Sequence, residues 1–336
     1  MTALEINFKI FFFMGKGGVG KTTCAATFAL QSAKIKRTLI ISLDPAHNLG
    51  DVLGLKLGEE PTKVTDNLYA VEVDFEHMIL QHLKRLTNKI KDIYGYLRIF
   101  NLDSYVDILK HSPGIEEYAT LDKIVEVLKW NTERKEYEVI VFDTPPTGLT
   151  LRIMALPSIS SIWVDKLLKL RMAILDRRRM IERITGEKIK TTIGGREFEV
   201  SSEPKDDPIY NELLKVKEEV ELVNKIVGDH RITTTVLVIN PEVLPILEAK
   251  RAYDFLKKLG VPVKYLIINK VLTVSGVPEA LKLKLTQQEK ALEMAKEVFS
   301  DLKIVRTPLL CEEPKGISKL EEFSQYLRPL LDEIKG

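Results

Sequence analysis

The chain has 336 residues, of which 45% are hydrophobic and 29% charged, as expected for a globular protein with a sizeable core. Its 50 basic and 48 acidic residues leave a net charge of +2, so composition gives no general argument for a nucleic acid partner. Cys24 and Cys311 are too few and too distant for a disulfide framework. Neither a signal peptide nor an apolar run of about 20 residues is evident, so we expect a cytoplasmic protein.

Short apolar runs alternate with helical patterns along most of the chain. Such alternation predicts an α/β fold, with a doubly wound and mostly parallel sheet. The predicted strands are 8–13, 38–43, 68–73, 139–142, 235–239, 265–268 and 304–305. Several strands end in a polar residue, and in a parallel sheet the carboxyl edge is where ligands bind. These residues are Asp44, Asp74, Asp143, Asn240 and Asn269.

Two long stretches interrupt this alternation. Residues 75–133 and 159–230 carry apolar residues mostly three and four apart, which predicts helical insertions that together form an all-helical subdomain. Residues 1–74, 134–158 and 231–336 would then form the domain that contains the sheet. Within the second insertion, residues 190–200 alternate around Gly194-Gly195 and predict a hairpin, and the polar segment 201–208 predicts a mobile loop.

The first strand leads into the most informative segment. Residues 15–22 read GKGGVGKT and fit the phosphate-loop pattern G-x-x-x-x-G-K-[ST] between a strand and a helix; the alternative is a chance match in a Gly-rich turn. Glycines let backbone N–H groups form an anion nest at the positive end of the helix dipole. Lys21 is expected to reach the β- and γ-phosphates of a nucleoside triphosphate, and the Thr22 hydroxyl to hold Mg²⁺. The predicted nucleotide contacts in this segment are Gly15, Lys16, Gly17, Gly18, Val19, Gly20, Lys21, Thr22 and Thr23.

Two aspartates follow later strands. Asp44 ends the second strand, where a carboxylate can orient an attacking water or accept its proton, although a cap or turn role before Pro45 is an equal alternative. Asp143 follows four apolar residues, a pattern typical of a Walker B strand, and is expected to bind Mg²⁺ through a water. A simple capping role is the alternative for Asp143.

These segments resemble the deviant-Walker ATPases, whose signature is a second lysine, here Lys16, directly after the first glycine of the loop. Residues 44–51, DPAHNLGD, resemble the first switch of the arsenite-pump and tail-anchored-protein-targeting branch. Residues 143–152, DTPPTGLTLR, resemble its second switch. The similarity spans nearly the whole chain, and it is strong at the motifs and loose in the helical insertions.

The resemblance implies roles for individual residues. Lys16 would cross a dimer interface to touch the partner's phosphates, which makes it catalytic together with Asp44 and Lys21. Asn269 would contact the adenine base. Further nucleotide-binding positions implied by the family are Asn48, Asp143, Glu242 and Pro308.

The resemblance also implies a function. It describes a homodimeric, Mg²⁺-dependent ATPase that converts ATP to ADP and phosphate and delivers tail-anchored proteins to a membrane receptor. The client's transmembrane helix would lie in an apolar groove of the helical subdomain, although ordinary core packing is the alternative for each groove residue. The candidates are Met78, Leu83, Leu97, Phe100, Met154, Leu156, Ile159, Ile162, Trp163, Leu167, Leu170, Met172 and Met180.

Two other functions stay open. An arsenite-stimulated pump subunit needs clustered thiolates, because As(III) is soft, and the two cysteines lie outside the insertions. A partition or septum-site ATPase needs a basic surface or a terminal amphipathic helix, and residues 317–336 predict a packed final helix instead. Many targeting ATPases carry a C-x-x-C zinc site, but residues 271–288 contain no cysteine, so we expect no zinc.

Overall fold

The computed structural model describes residues 6–46, 48–93, 109–193, 196–273 and 279–335. Its strands are β1 (Lys9–Gly15), β2 (Thr38–Ser42), β3 (Thr62–Lys63), β4 (Leu68–Glu72), β5 (Val139–Asp143), β6 (Lys190–Ile193), β7 (Arg196–Glu199), β8 (Thr233–Ile239), β9 (Val263–Val271) and β10 (Lys303–Pro308). The predicted α/β class is confirmed, and each of the seven predicted strands is present. The two-residue strand β3 was not predicted.

The described helices are α1 (Lys21–Ala33), α2 (Leu49–Leu53), α3 (Phe75–Ile93), α4 (Ile115–Arg134), α5 (Thr147–Thr185), α6 (Pro208–Gly228), α7 (Val243–Lys258), α8 (Glu279–Val298), α9 (Ile317–Phe323) and α10 (Asp332–Lys335). Short 3₁₀ segments cover Pro204–Asp206 and Ser324–Leu331. The helices α3, α4, α5 and α6 agree with the helical spacing of the apolar residues in the two insertions.

The main sheet has eight strands in the order β10-β9-β8-β1-β5-β2-β4-β3, and all pairs are parallel except β3 with β4. The central strands β1 and β5 are buried, β5 completely and β1 except at its first residue, because helices cover both faces of such a sheet. Phe11, Phe13 and Phe28 pack in one core cluster of this sheet. Parallel strands place their carboxyl ends together, so the residues after β1, β2 and β5 share one edge.

The described residues form two compact units. One comprises Met1–Phe75, Glu126–Met154 and Ile226–Gly336 and contains the main sheet, and we call it the nucleotide unit. The other comprises Glu76–Val125 and Ala155–Lys225 and we call it the helical unit. These boundaries differ by one to eight residues from those read in the sequence, because α4 and α5 each continue from one unit into the other.

The helical unit contains the hairpin predicted over 190–200, as β6 paired antiparallel with β7. The following segment differs from the mobile loop that its polar sequence suggested. Asp207 is buried and accepts two hydrogen bonds from Arg171, at 2.9 Å from Nε and 2.5 Å from Nη2. A buried bidentate ion pair therefore anchors the segment, a contact with a residue 36 positions away that local composition does not reveal.

One described helix, α5, is long and apolar enough to cross a membrane by length and composition alone, which the inspection of apolar runs missed. Its most apolar 18-residue window has a mean hydropathy of only 1.2. One such helix is weak evidence of a membrane span, because core helices of soluble proteins pass the same test.

Candidate nucleotide site

The loop between β1 and α1 forms one wall of a cavity of about 460 Å³ in the nucleotide unit. Lys16, Gly17, Gly18, Gly20, Lys21, Thr22 and Thr23 line it from the loop. Asp44, Ala46, Asn48, Asn269, Pro308 and several residues of the segment after Pro308 line its other sides. The volume is in the usual range for small-molecule and cofactor pockets.

The glycine at position 20 meets two demands of the loop. Its φ of 89° lies in the left-handed region, which side chains rarely adopt. A Cβ atom built on it would also lie 2.2 Å from Nδ2 of Asn269. Gly20 therefore lets the chain turn tightly into α1 and leaves space for the Asn269 side chain of β9.

Three charged side chains meet at the bottom of this cavity. Lys21 is only 5% exposed, and its Nζ lies 2.6 Å from Oδ2 of Asp44 and 4.0 Å from Oδ1 of Asp143. The two aspartates follow neighbouring strands, so the sheet topology brings them to the same lysine. Oδ1 of Asp44 also accepts a hydrogen bond from the backbone N–H of Ala46 at 3.1 Å, which makes Asp44 both a turn residue and a partner of Lys21.

Asp143 is fully buried, and burial raises its pKa to about 6, against the lowering effects of Lys21 and a hydrogen bond with Thr22. Its Oδ1 has no hydrogen-bond partner, and Oδ2 accepts a long hydrogen bond of 3.5 Å from the Ser42 hydroxyl. A buried carboxylate oxygen without a donor is costly unless a cation or water completes it. The donor set of carboxylate and neighbouring threonine hydroxyl fits Mg²⁺, a hard cation that keeps several waters.

No cluster of three His, Cys, Asp or Glu side chains suited to a metal exists among the residues that the structure describes. Mg²⁺ usually binds through one or two protein oxygens together with the phosphates of its substrate, so a magnesium site does not require such a cluster.

The Lys16 side chain is 65% exposed, and its Nζ lies 3.1 Å from Oε1 of Glu248 on α7. Glu248 is itself 40% exposed, so solvent weakens this ion pair. The lysine borders both the phosphate-loop cavity and a second cavity of about 500 Å³ that Gly15 and Val19 also line. Lys16 can therefore leave Glu248 at little cost.

The remaining predicted residues lie at different places around the loop. Thr23, Asn48 and Pro308 line the phosphate-loop cavity. Asn269 also lines it, but its amide is engaged, since Nδ2 donates to Val19 O at 2.8 Å and Oδ1 accepts from the Thr307 hydroxyl at 2.6 Å. Glu242 lines a third cavity of about 850 Å³ instead, so the structure does not bring it into the phosphate-loop cavity.

Three residues around the loop were missed by sequence reasoning. Glu248 lies 232 positions from Lys16, and Lys270 donates to Gly18 O at 2.9 Å across 252 positions. Thr307 was not singled out, and its bond to Asn269 was not foreseen. Only the position of Lys270 directly after Asn269, at the end of a predicted strand, could have pointed to it.

The doubly wound sheet and the phosphate loop after its central strand define a P-loop nucleoside triphosphatase fold. The chain belongs to the anion-transporting ATPase family, whose model matches residues 8–329. It is 31% identical over 320 residues to a putative arsenical pump-driving ATPase 2 of Aquifex aeolicus, covering 95% of this chain and 99% of that protein. It is 32% identical over 321 residues to ATPase GET3 of Paracoccidioides lutzii, covering 94% and 89%, and equally to ATPase get3 of Aspergillus terreus. The protein is accordingly an ATPase.

Proposed function

We propose that this ATPase works as a cytoplasmic, Mg²⁺-dependent homodimer that shields the transmembrane helices of tail-anchored proteins and delivers them to a membrane receptor. Lys21 binds the β- and γ-phosphates, Thr22 and Asp143 hold Mg²⁺, and Asp44 orients the attacking water. Lys16 leaves Glu248 and stabilises the charge that develops on the partner's transferring phosphoryl group. Mg²⁺ supplies charge neutralisation at the β- and γ-phosphate oxygens when it is bound.

The observation that carries the client-binding role is an apolar face on α5 in the helical unit. Ile162, Trp163 and Leu170 are 59%, 61% and 59% exposed, and Ile184 reaches 84%. The exposed apolar residues of this helix form two groups, 159–170 and 180–184, within which successive members are one, three or four residues apart, and at 100° per residue both groups lie on one side of the helix. They are Ile159, Ile162, Trp163, Leu167, Leu170, Met180, Ile181 and Ile184.

An exposed apolar face suits a partner that is itself an apolar helix, because burial of both surfaces removes them from water. The opposite side of α5 is buried, as Val164, Leu168 and Leu175 show. The helix therefore has a packed face that fixes it and an open face that can accept a client.

The structure revises part of the predicted groove. Met78, Leu83 and Met154 are at most 5% exposed, so they are core side chains and cannot contact a client in this conformation. Their apolar character and helical spacing are the same for core and groove, and only the packing separates the two. Leu97 and Phe100 lie outside the described residues.

The test is capture of a tail-anchored protein during co-expression, followed by co-purification in the presence of ATP. The Asp44→Asn variant is expected to retain the client, since it binds ATP but hydrolyses it slowly. Replacement of Ile162, Trp163 and Leu170 by serine is expected to abolish capture and leave ATP hydrolysis without client unchanged.

Ile35→Ser provides the matched control, because Ile35 is 41% exposed but lies just after the end of α1 in the nucleotide unit. Capture that survives the triple substitution would contradict the proposal. Equal loss in the Ile35→Ser control would also contradict it, since the effect would then not belong to the apolar face of α5.

Arsenite-stimulated hydrolysis is the second candidate, and the name of the Aquifex relative favours it. The thiols argue against it. Cys24 is completely buried and burial raises its pKa to about 12, so it remains a protonated thiol, whereas Cys311 is exposed. Stimulation of the ATPase by arsenite, lost in Cys24→Ser and Cys311→Ser, would favour this candidate over client delivery.

A further inference from the structure

The end of β9 contains a bulge that faces the phosphate loop. Ile268 pairs with Arg306 and Val271 pairs with Pro308, so three steps along β9 match two steps along β10. The extra residue belongs to Asn269-Lys270, and Lys270 has a φ of 60° in the left-handed region. A lysine adopts this conformation only where surrounding contacts hold it.

The bulge changes where two consecutive side chains point. In a regular strand they would face opposite sides of the sheet. Here Nδ2 of Asn269 donates to Val19 O at 2.8 Å and Nζ of Lys270 donates to Gly18 O at 2.9 Å, so both reach the same loop. Bulges commonly redirect side chains in this way beside active sites.

A third residue orients the asparagine. Thr307 on β10 is completely buried, and its hydroxyl donates to Oδ1 of Asn269 at 2.6 Å. The amide is therefore held with its NH₂ group toward the loop. We call Asn269, Lys270 and Thr307 the bulge clamp.

The clamp acts on the direction of backbone N–H groups. In a planar trans peptide the C=O of one residue and the N–H of the next point in opposite directions. Because Gly18 O and Val19 O are held toward β9, the N–H groups of Val19 and Gly20 point away from β9. These are N–H groups of the loop that would form the anion nest.

We propose that the bulge clamp orders the phosphate loop before the nucleotide arrives, with Asn269 and Lys270 as positioning residues for ATP hydrolysis. This inference rests on the proposed binding of nucleotide phosphates at residues 15–22. A nest that is ordered in advance loses less conformational freedom on binding, so the clamp raises affinity for phosphates. It acts on the phosphate end of the ligand and not on the base.

The test compares Lys270→Gly with Lys135→Gly. Glycine permits the left-handed conformation but removes the ammonium group. Lys135→Gly is the control, because Lys135 is an exposed lysine with a left-handed φ of 52° elsewhere in the nucleotide unit. Affinity is measured by displacement of a fluorescent ADP analogue with Mg²⁺ present. The two competitors are ATP and inorganic tripolyphosphate, which has no base. ATP hydrolysis gives kcat and KM.

Lys270→Gly is expected to weaken the binding of ATP and of tripolyphosphate by the same factor. We expect a factor of about 5 to 30, as for the loss of a partly exposed charge-assisted hydrogen bond. KM rises in step and kcat changes less than about twofold, because the lysine does not touch the reacting atoms. Lys270→Asn, which tolerates the backbone conformation but is too short, behaves like the glycine variant, and Lys270→Arg restores most of the affinity. Lys135→Gly matches the unmodified protein.

Three results would overturn the inference. Equal affinities in Lys270→Gly and Lys135→Gly would show that the ammonium group has no role in the loop. A loss confined to ATP, with tripolyphosphate unaffected, would assign Lys270 to recognition of the base. If the unmodified protein binds neither competitor, the proposed phosphate site fails, and the clamp fails with it.

Discussion

The buried carboxylate of Asp143 allows a prediction of unusual sign, in which removal of a site residue stabilises the apoprotein. The pKa of Asp143 rises from an ordinary 3.8 to about 6 because the side chain is fully buried. Its ionised form is therefore disfavoured by folding, and only a bound cation would offset that cost. Asp143→Asn keeps the shape of the side chain and removes the charge.

The magnitude follows from linkage between protonation and folding. A group whose pKa is raised by folding contributes stability below its unfolded pKa and loses it as the pH rises through its folded pKa. Each pKa unit corresponds to about 1.4 kcal/mol, so at pH 8 the ionised Asp143 costs the folded apoprotein about 3 kcal/mol. At pH 5 about half of this penalty has developed. The unsatisfied asparagine amide costs about 1 kcal/mol of stability, which offsets part of this gain. We therefore expect Asp143→Asn to be more stable than the unmodified protein by about 1 to 3 kcal/mol at pH 8.

The assay is urea unfolding with EDTA at pH 5 and pH 8. The chain has two tryptophans, of which Trp130 lies in the nucleotide unit and Trp163 in the helical unit. A Trp163→Phe background therefore leaves Trp130 as the fluorescence reporter of the nucleotide unit. Asp66→Asn is the matched control, since the Asp66 side chain is 99% exposed and its substitution should change little.

With Mg²⁺ and ADP added, we expect the unmodified protein to be more stable than Asp143→Asn. The cation offsets the cost of the buried carboxylate, and only the unmodified protein has that carboxylate. The reasoning is refuted if Asp143→Asn is less stable than the unmodified protein at pH 8 in EDTA. It is refuted equally if the stability difference does not shrink at pH 5.

Three further predictions concern the loop and the helical unit. Lys16→Ala should retain nucleotide binding and lose at least about a hundredfold in kcat, as for a cation supplied to the transferring phosphoryl group, and unchanged hydrolysis would contradict this role. Gly20→Ala should abolish ATP binding in calorimetry because its Cβ has no space and its φ is positive, whereas Gly58→Ala, with open space around it, should bind normally. Asp207→Ala should destabilise the helical unit by about 3 to 5 kcal/mol in urea unfolding, because it leaves the 13% exposed Arg171 without its partner. A smaller loss of unfolding free energy in Asp207→Ala than in Asp66→Ala would be incompatible with a buried ion pair.

Much of the fold was predictable because its signals are local. A run such as 139–142, four apolar residues before an aspartate, predicts a buried strand with a polar end whatever surrounds it. The loop at residues 15–22 was recognisable for the same reason, since its glycines, lysine and threonine act at fixed spacing within one turn of chain. The family resemblance followed from such local motifs as well.

Burial and long-range pairing were not predictable. Met78 and Ile162 are both apolar residues at helical spacing, yet one is 3% and the other 59% exposed. The family resemblance implied a nucleotide-binding role for Glu242, and the path of the chain between β8 and α7 places this residue at a cavity separate from the phosphate-loop cavity. Spacing along one helix or loop does not state what packs against it.

The sequence by itself determined the strands and the phosphate loop, and it predicted roles for Lys21, Asp44 and Asp143, because backbone preference and residue type act over a few neighbours. The tertiary structure alone decided that these three side chains meet, because strand order sets which ends are adjacent. It also decided that Lys270 reaches a loop 252 positions away, since a single extra residue in β9 redirects its side chain. Contacts between distant segments depend on how the whole chain minimises its exposed apolar surface, and no local pattern encodes them.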